Sequence, residues 1–202
     1  MGLYDQYLAF RMRLHDLAPP DHVALVITER DLLNPGAYDT LEEFFEWAFT
    51  YDAERVTVYV SVLDPEAVSP LRRSLTRLET PRELAVHVPG DSTPTDAPIQ
   101  IGVGLGGKHE FTVAVRELAG EVDEGGFDPD ELDGNAIESE LVFPTDPDLV
   151  IKTGAERLSD FMIWQSVYSE LYFTDVNWQN VRRRDYLRAL YEFKQRTRRF
   201  GR

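Results

Sequence analysis

The segment KTGAERLS, which begins at residue 152, contains the side-chain types that bind a diphosphate. It offers two cations, two hydroxyls and one glycine, namely Lys152, Arg157, Thr153, Ser159 and Gly154. It follows the short apolar run DLVI, which is typical of a buried strand. Backbone N–H groups and cations at a strand-to-helix turn favour an anion. A structural interpretation also stands: surface charges, a helix cap at Ser159 and a glycine turn.

Polar residues also follow two other predicted strands. The run HVALVI leads into Thr28–Asp31, and the run RVTVYVSV leads to Asp64. Ligands of parallel α/β sheets bind beyond the carboxyl ends of the strands, so these ends are further candidate positions. The four histidines have no metal-ligand spacing, and His22, just before the first strand, is interpreted as structural.

Length and composition exclude several classes of protein. The chain has 202 residues, 43% of them hydrophobic, which predicts one domain spanning residues 1–202 with a single core. The absence of cysteine excludes disulfides and thiolate zinc sites. No apolar run reaches the length of a membrane span, and the N-terminal residues lack the apolar stretch of a signal peptide. We therefore expect a cytoplasmic protein, with membrane contact only peripheral and through a lipid product.

The charge is unevenly distributed along the chain. Residues 182–202 contain nine Lys or Arg and two acidic residues, whereas the whole chain has a net charge of −15. The body is thus strongly acidic, as in proteins of salt-rich hosts, and would repel nucleic acid. We expect the basic C-terminal segment to meet a small anion or an acidic partner surface.

Alternating strand and helix patterns predict an α/β fold. Apolar runs predict strands at 22–27, 55–62, 83–88, 99–107, where the run ends in glycines, and 148–151, in a central, mostly parallel sheet of about six strands flanked by helices. Helical periodicity predicts helices over 39–49, 67–78, 109–122, 158–170 and 182–197. Thr40 and Glu43 have the spacing of a capping box at the start of the first helix.

Several of these segments together resemble the cis-prenyltransferase family, the undecaprenyl and polyprenyl diphosphate synthases. The matching segments are HVALVI, RVTVYV, IQIGVGLGGKHEF, residues 147–178 and the closing RRFG, in the family's order and with comparable spacing. The resemblance covers most of the chain, and residues 147–178 carry most of its specificity. It implies the fold predicted above and a Mg²⁺-dependent condensation of isopentenyl diphosphate with an allylic diphosphate in cis geometry.

The resemblance also implies that the allylic side of the site is lost. In the family, the first strand leads into an Asp-Gly-Asn turn whose Asp works with Mg²⁺, but here Thr28, Glu29 and Arg30 stand in these positions. A neutral hydroxyl cannot replace an anionic Mg²⁺ ligand. The family's Arg and His residues that hold the leaving diphosphate have no counterpart in the short loop that follows. After the second strand the family has a Phe-Ser-(Ser/Thr)-Glu-Asn turn, and here only Asp64 resembles its Glu. The region 64–98 is shorter than usual, which predicts no full-length product tunnel.

The same resemblance implies that the residues that bind isopentenyl diphosphate are retained. The resemblance assigns this diphosphate to Lys152, Thr153, Gly154, Arg157 and Ser159, with Lys152 replacing an Arg and losing its bidentate fork. Glu170 occupies the family's second Mg²⁺ position, with a surface ion pair as the alternative. Arg199 and Gly201 reproduce the C-terminal Arg-X-Gly motif, which in heteromeric members reaches the partner's isopentenyl diphosphate.

This asymmetric loss predicts a non-catalytic or weakly catalytic subunit of a heteromeric cis-prenyltransferase, similar to the Nogo-B receptor type. Its partner would be a catalytic cis-prenyltransferase subunit that makes a long-chain polyprenyl diphosphate, the precursor of undecaprenol- or dolichol-like glycan carriers. Mg²⁺ would be the cofactor of that complex. Two alternatives remain: an active Mg²⁺-dependent synthase, an alkyl transferase with Glu29 or Asp31 replacing the missing Asp, and a protein that binds isoprenoid diphosphates without turnover.

Dimerisation, as a heterodimer or a homodimer, is predicted to use an aromatic surface late in the chain. Its residues are Phe161, Trp164, Tyr168, Tyr172 and Phe173. Burial inside the monomer is the alternative for several of them.

Overall fold

The computed structural model describes residues 18–91, 95–154 and 164–195. Its centre is one six-stranded sheet in which every neighbouring pair is parallel, in the order β3-β4-β2-β1-β5-β6. The strands are β1 (His22–Thr28), β2 (Arg55–Ser61), β3 (Leu84–His87), β4 (Ile99–Val103), β5 (Leu149–Thr153) and β6 (Glu170–Thr174). The predicted single-domain α/β fold with about six strands is confirmed.

Helices follow most of the strands, as parallel connections require. The α-helices are α1 (Glu29–Leu32), α2 (Ala37–Thr50), α3 (Val68–Leu75), α4 (Gly107–Asp123), α5 (Gly134–Ser139) and α6 (Arg183–Gln195). Short 3₁₀ helices lie at Pro65–Ala67, Pro129–Glu131 and Trp178–Asn180. Among the described residues, no helix is long and apolar enough to span a bilayer.

The central strands are buried on both faces, which explains their continuous apolar sequences. In β1, Val23, Leu25 and Ile27 belong to the larger core, whereas Ala24 and Val26 belong to a smaller core on the opposite face. We call these the major face and the minor face of the sheet. Side chains alternate between the two faces along each strand, so the face of every strand residue near the site is fixed.

Helix α2 closes the major face. Leu41, Phe44, Phe45 and Ala48 are buried in the core, which accounts for the apolar spacing of its sequence. The ring of Phe44 meets Trp178 and Tyr186 edge to face, with centroids 6.1 and 5.3 Å away. These contacts join α2 to α6 and to the 3₁₀ helix at Trp178–Asn180, and so hold α2 in place.

The capping box predicted at Thr40 and Glu43 is wrong. Gly36 is the N-cap of α2, with a φ of 75°, and Thr40 lies inside the helix, where its hydroxyl donates to the Gly36 carbonyl. The helix therefore begins before the predicted position, because the left-handed glycine turns the chain into it without a side-chain cap. A capping box does form in the chain, but at Thr28 and Asp31.

The helix predicted over 158–170 is contradicted where the structure describes it. Residues 164–168 form turns, and Glu170 begins strand β6, which extends the sheet beyond β5. Residues 155–163 lie outside the described part of the chain. Trp164 and Tyr168, whose spacing suggested a helix, lie in these turns, so helical spacing of two aromatic residues was not sufficient to identify a helix.

Most of the basic segment 182–202 is a packed helix in this structure. Helix α6 buries Tyr186, Leu190 and Phe193 as predicted, and Asp185 and Lys194 are buried as well. Residues 196–202, which carry the Arg-X-Gly motif, lie outside the described residues. A free basic tail could therefore begin only after α6.

His22 is held inside the fold as predicted. It is 6% exposed, its Nε2 lies 2.8 Å from the Thr57 hydroxyl, and its Nδ1 lies 3.1 Å from the Asp146 carbonyl oxygen. Burial, the largest cause, lowers the pKa of His22 from 6.5 to about 4. The imidazole is therefore neutral in the folded protein at neutral pH and charged in the unfolded chain below pH 6.5.

We expect this histidine to make the protein acid-sensitive. Below pH 6.5 the unfolded chain binds the proton more readily, so the free energy of unfolding should fall as pH drops from 6.5 to about 4, by up to about 3 kcal/mol. Urea denaturation of wild type and His22→Gln at pH 7, 6, 5 and 4.5 measures this slope. The slope should shrink in His22→Gln and persist in His109→Gln, whose side chain is exposed. Equal slopes in all three proteins would contradict the assignment.

Candidate functional site

The tip of β1 is closed by a helix cap. Thr28 is the N-cap of α1, and its backbone N–H donates to Asp31 Oδ2 over 2.8 Å. The Thr28 hydroxyl donates to the same oxygen over 2.9 Å and accepts a bond of 3.4 Å from the Asp31 N–H. The carboxylate of Asp31 is thus engaged in the cap. Only eight residues, 29–36, separate β1 from α2, and four of them form α1.

Glu29 is the other acidic residue at this tip. Its Oε2 atom is buried and has no hydrogen-bond partner among the described residues, although the residue as a whole is partly exposed. A buried carboxylate oxygen without a partner is costly, so it marks a position where a ligand would be stabilised. Arg30 is exposed and faces solvent.

Asp64, after β2, caps the 3₁₀ helix at Pro65–Ala67 and accepts a 3.0 Å hydrogen bond from the Glu66 N–H.

Two polar residues end strand β5, and both are buried. Lys152 is 3% exposed, and its ammonium donates to the Thr153 carbonyl over 2.6 Å. Thr153 is 2% exposed, and its hydroxyl has no hydrogen-bond partner among the described residues. A buried ammonium is suited to an anionic oxygen, and the unsatisfied Thr153 hydroxyl is a second buried polar group at the same strand end.

The β1 and β5 ends lie side by side. Val26 pairs with Lys152 in the parallel register, so Thr28 and Lys152 project from the same, minor face of neighbouring strands. Thr153 projects toward the major face. Of the candidate residues at the two strand ends, Thr28 and Lys152 therefore share a face and Thr153 lies on the other.

Gly154 makes the turn that ends β5. Its φ is +76°, a left-handed value that favours glycine, and its N–H donates to the Val176 carbonyl over 3.2 Å. Among the described residues, no heavy atom lies within 4 Å of a Cβ placed there. The glycine is thus required by backbone conformation and not by crowding, and the turn holds the chain after Thr153 close to the strand end.

We expect Gly154→Ala to destabilise the fold by about 1–2 kcal/mol, the cost of a left-handed alanine. Gly120→Ala is the matched control, because Gly120 lies inside α4 and a Cβ there also meets no atom within 4 Å. Alanine in a helix interior should instead stabilise by about 0.5–1 kcal/mol. Thermal unfolding of both variants measures these opposite signs, and destabilisation by both would contradict the explanation.

Glu170 is not brought to this group within the chain. It pairs with Leu149 at the start of β5, whereas Thr153 pairs with Thr174 at the end. Four residues of strand separate the two positions by about 13 Å. Glu170 also projects from the major face, opposite to Lys152. Within one chain it therefore cannot share a ligand atom with the Lys152 ammonium.

Four other predicted residues cannot be placed. Arg157, Ser159, Arg199 and Gly201 lie outside the described residues. Phe161 of the predicted dimer surface lies outside them as well.

The described part of the predicted dimer surface divides into two. Trp164 is used inside the chain, because its ring stacks on Phe111 at 5.8 Å and its N–H donates to Glu138 over 3.0 Å. Tyr168 and Phe173 are 66% and 57% exposed. Val167, also 66% exposed, precedes Tyr168 in the chain, and Phe173 is part of β6, the last strand in the described sheet order. Tyr172 packs partly against the major core.

The site was also tested for the Mg²⁺ that the sequence resemblance implies. The described residues contain no group of three or more acidic or histidine side chains placed to hold a metal ion. At the β1 tip, Asp31 accepts two hydrogen bonds from Thr28, and Glu29 supplies one unpartnered oxygen. Mg²⁺ requires near-octahedral oxygen coordination. The residues described at this tip do not form such a site.

Sequence reasoning missed a buried polar pair on the minor side of the sheet. Glu110, in α4, is 4% exposed and Gln165 is 1% exposed, and the two side chains are hydrogen-bonded. The helical spacing of Glu110 with the buried Ala114 and Leu118 could have revealed that Glu110 faces inward.

Comparison with known sequences gives one consistent family. A family model described as "Putative undecaprenyl diphosphate synthase" matches residues 77–201. A tritrans,polycis-undecaprenyl-diphosphate synthase (geranylgeranyl-diphosphate specific) from Methanopyrus kandleri is 36% identical over 233 aligned positions, covering 91% of this chain and 85% of the relative. A protein of the same description from Thermoplasma acidophilum is 32% identical, covering 87% and 68%. Isoprenyl transferase 1 of Corynebacterium efficiens is 47% identical over a shorter stretch, 53% of this chain and 44% of the relative.

Two solved structures share the fold. Lavandulyl diphosphate synthase from Lavandula x intermedia, in complex with dimethylallyl diphosphate, has a TM-score of 0.75 and 22% identity, covering 92% of this chain and 99% of that chain. A probable undecaprenyl diphosphate synthase from Campylobacter jejuni has a TM-score of 0.68 and 20% identity, covering 92% and 100%. At these identities the likeness concerns the fold alone.

Proposed function

Because the chain belongs to the undecaprenyl diphosphate synthase family, the cis-prenyltransferases, we propose that it is a non-catalytic or weakly catalytic subunit of a heteromeric cis-prenyltransferase. The complex would make a long-chain polyprenyl diphosphate, a precursor of lipid glycan carriers. The observation that carries this proposal is the cap at the β1 tip, where Thr28 replaces an acidic residue and the nearby Asp31 is bonded to Thr28.

The allylic half of the reaction needs charge stabilisation of a departing diphosphate. For Asp31 to provide it, the cap would have to open, and α1 would lose the bonds that start it. The catalytic partner would therefore supply the metal ligands, and Mg²⁺ would act in the partner's site. The M. kandleri alignment is longer than this chain, so that relative contains segments that the chain lacks, in accord with a reduced substrate cavity.

The β5 end would keep a binding role. Lys152 and Thr153, both buried at this strand end, would bind the diphosphate of isopentenyl diphosphate, as the family resemblance implies, and Arg157 and Ser159 would complete this site. Arg199 and Gly201 would reach the corresponding site of the partner. The exposed apolar side chains Val167, Tyr168 and Phe173, together with the position of β6 at one end of the described strand order, support dimerisation.

Turnover by the isolated chain tests the proposal. We expect no prenyl elongation when the purified full chain is given Mg²⁺, isopentenyl diphosphate and an allylic diphosphate, with radiolabelled product extraction as the measurement. Calorimetry in the same buffer should still detect isopentenyl diphosphate binding. Sustained multi-step elongation by the chain alone would overturn the proposal.

A second function is favoured by the unpartnered Glu29 oxygen. If Glu29 holds Mg²⁺ in place of the missing Asp, the chain is an active synthase, as the names of its relatives indicate for them. Glu29→Gln would then abolish turnover by the isolated chain, while Arg30→Gln at the adjacent exposed position would not. Asp31→Asn tests the other candidate for that position, because the cap would have to open for Asp31 to act. Turnover that survives Glu29→Gln would exclude this role.

The third function, binding without turnover, depends on the two buried polar groups that end β5, the Lys152 ammonium and the unsatisfied Thr153 hydroxyl. It differs from the subunit proposal in needing no partner. Copurification from the native host decides between them, because a capture protein would elute alone while the subunit would bring a cis-prenyltransferase with an intact Asp-Gly-Asn turn.

A further inference from the structure

A cavity lies at the β3–β4 side of the sheet, away from the β5 site. It is bounded by α4, by the turn after β3 and by the segment after α5, and its volume is about 360 Å³. Three strand spacings, about 14 Å, separate β4 from β5. Its apolar wall consists of Pro89, Leu105, Val113, Leu141 and Val142. This volume is within the range of small-molecule sites, about 300–1,000 Å³.

A buried carboxyl group lines this cavity. Glu110 is 4% exposed, and its Oε1 accepts hydrogen bonds from the Phe143 N–H at 3.2 Å and from Gln165 Nε2 at 3.3 Å. Gln165 is itself held by a 3.0 Å bond to the Phe143 carbonyl. Burial raises the pKa of Glu110. A buried, pre-oriented carboxyl in an otherwise apolar cavity is the kind of polar group that orients a ligand.

The rim of the cavity is acidic. Among the residues that line it, Asp91, Glu117 and Glu140 accompany Glu110, whereas Arg116 and His109 are the basic ones. Asp91 pairs with Arg72 at 3.4 Å. The pKa of Glu140 is raised by burial first and then by repulsion from Glu121 and Glu117. A cation between Glu117 and Glu140 would relieve this repulsion.

We propose that this cavity binds a small organic cation with an apolar body, such as a primary alkylammonium. The apolar body would lie against Leu105, Val113 and Leu141, and the ammonium would lie at the rim near Glu117 and Glu140. An anionic ligand would meet the acidic rim, and a neutral one would gain only the apolar contacts. The site does not depend on the diphosphate site proposed at β5.

Binding of cyclohexylammonium to the full chain tests this, with cyclohexanol as the uncharged probe of similar shape. The measurement is the ¹³C-methyl NMR shift of Val113 and Leu141 during titration at low salt. We expect saturable shifts of both residues, and an affinity for the ammonium about threefold to tenfold above that for the alcohol. Equal affinities, absent shifts or shifts confined to other parts of the chain would overturn the proposal.

Three variants locate the binding. Val113→Phe should fill the cavity and abolish binding of both probes, with unchanged far-UV circular dichroism showing that the fold survives. Glu140→Gln should lower ammonium affinity about threefold to tenfold and leave alcohol affinity unchanged. Glu131→Gln, at an exposed residue away from the cavity, should change neither. Ammonium binding that survives both Val113→Phe and Glu140→Gln would place the ligand elsewhere and refute the site.

Discussion

Lys152→Met should weaken binding of isopentenyl diphosphate by about a hundredfold to a thousandfold. Removing one partner of a buried, hydrogen-bonded charge pair costs about 2–5 kcal/mol, and Lys152 is 3% exposed at the end of β5. Methionine has a similar length and no charge, so it fills the same space among buried neighbours. Isothermal titration of the purified chain with isopentenyl diphosphate measures the loss directly.

Lys108→Met is the matched control because Lys108 is an exposed cation near the start of α4. Its affinity for the diphosphate should stay within about twofold of wild type, since exposed charges contribute little. A urea midpoint for Lys152→Met at or above that of wild type would show that the fold is intact. If the two variants bind equally well, the β5 end is not the diphosphate site, whatever the fold.

This result would bear on binding and leave catalysis separate. The subunit and binding-protein proposals both require affinity at Lys152, whereas the cap at Thr28 concerns only turnover. A chain that binds isopentenyl diphosphate but fails to elongate it would show that the end of β5 has kept a binding role while the end of the neighbouring strand β1 has lost its catalytic role.

The strands were predictable because they are continuous apolar runs. HVALVI and RVTVYV are buried on both faces of a parallel sheet, and only strands of this kind need such sequences at such lengths. Helix α2 was predictable for the complementary reason that Leu41, Phe44, Phe45 and Ala48 form one stripe. The sheet order and the closeness of the β1 and β5 ends were not predicted, because they depend on which strands pair across the sheet.

The cap at the β1 tip could not be predicted with the same certainty. Thr28 and Asp31 have the N-cap and N3 spacing, but Thr40 and Glu43 have it as well. Which pair caps a helix depends on where the chain turns, and here Gly36 adopts a left-handed conformation and starts α2 unaided. The local sequence is compatible with a capping box at both positions. Only the box at Thr28 and Asp31 forms, and α2 starts at Gly36 without one.

The burial of the site residues also required the fold. From their polarity alone, Lys152 and Thr153 would be expected at the surface. In the fold both side chains are less than 4% exposed, because β5 lies between β1 and β6. Trp164 reads as an interface residue, but Phe111 and Glu138, both distant in sequence, hold it inside the chain. Contacts between residues far apart in sequence decide these outcomes, and periodicity within one element cannot report them.

Phe44→Ala should cost about 3–5 kcal/mol of the free energy of unfolding, the usual loss for a fully buried phenylalanine. Phe44 is 1% exposed and meets Trp47, Trp178 and Tyr186 edge to face, so the change removes apolar burial and these three aromatic contacts together. A domain of ordinary stability has about 5–15 kcal/mol in total. Urea denaturation at 25 °C and pH 7 measures the difference.

Phe111→Ala is the control, because Phe111 is 38% exposed and makes one stacking contact with Trp164, and it should cost less than half as much. Below its own melting temperature, Phe44→Ala should bind isopentenyl diphosphate as wild type does, since Phe44 packs on the major face and Lys152 projects from the minor face. A large affinity loss in a still-folded Phe44→Ala protein would show that α2 and the β5 end are coupled. An equal cost for both phenylalanines would contradict the packing argument, because the edge-to-face cluster would then contribute nothing beyond ordinary partial burial.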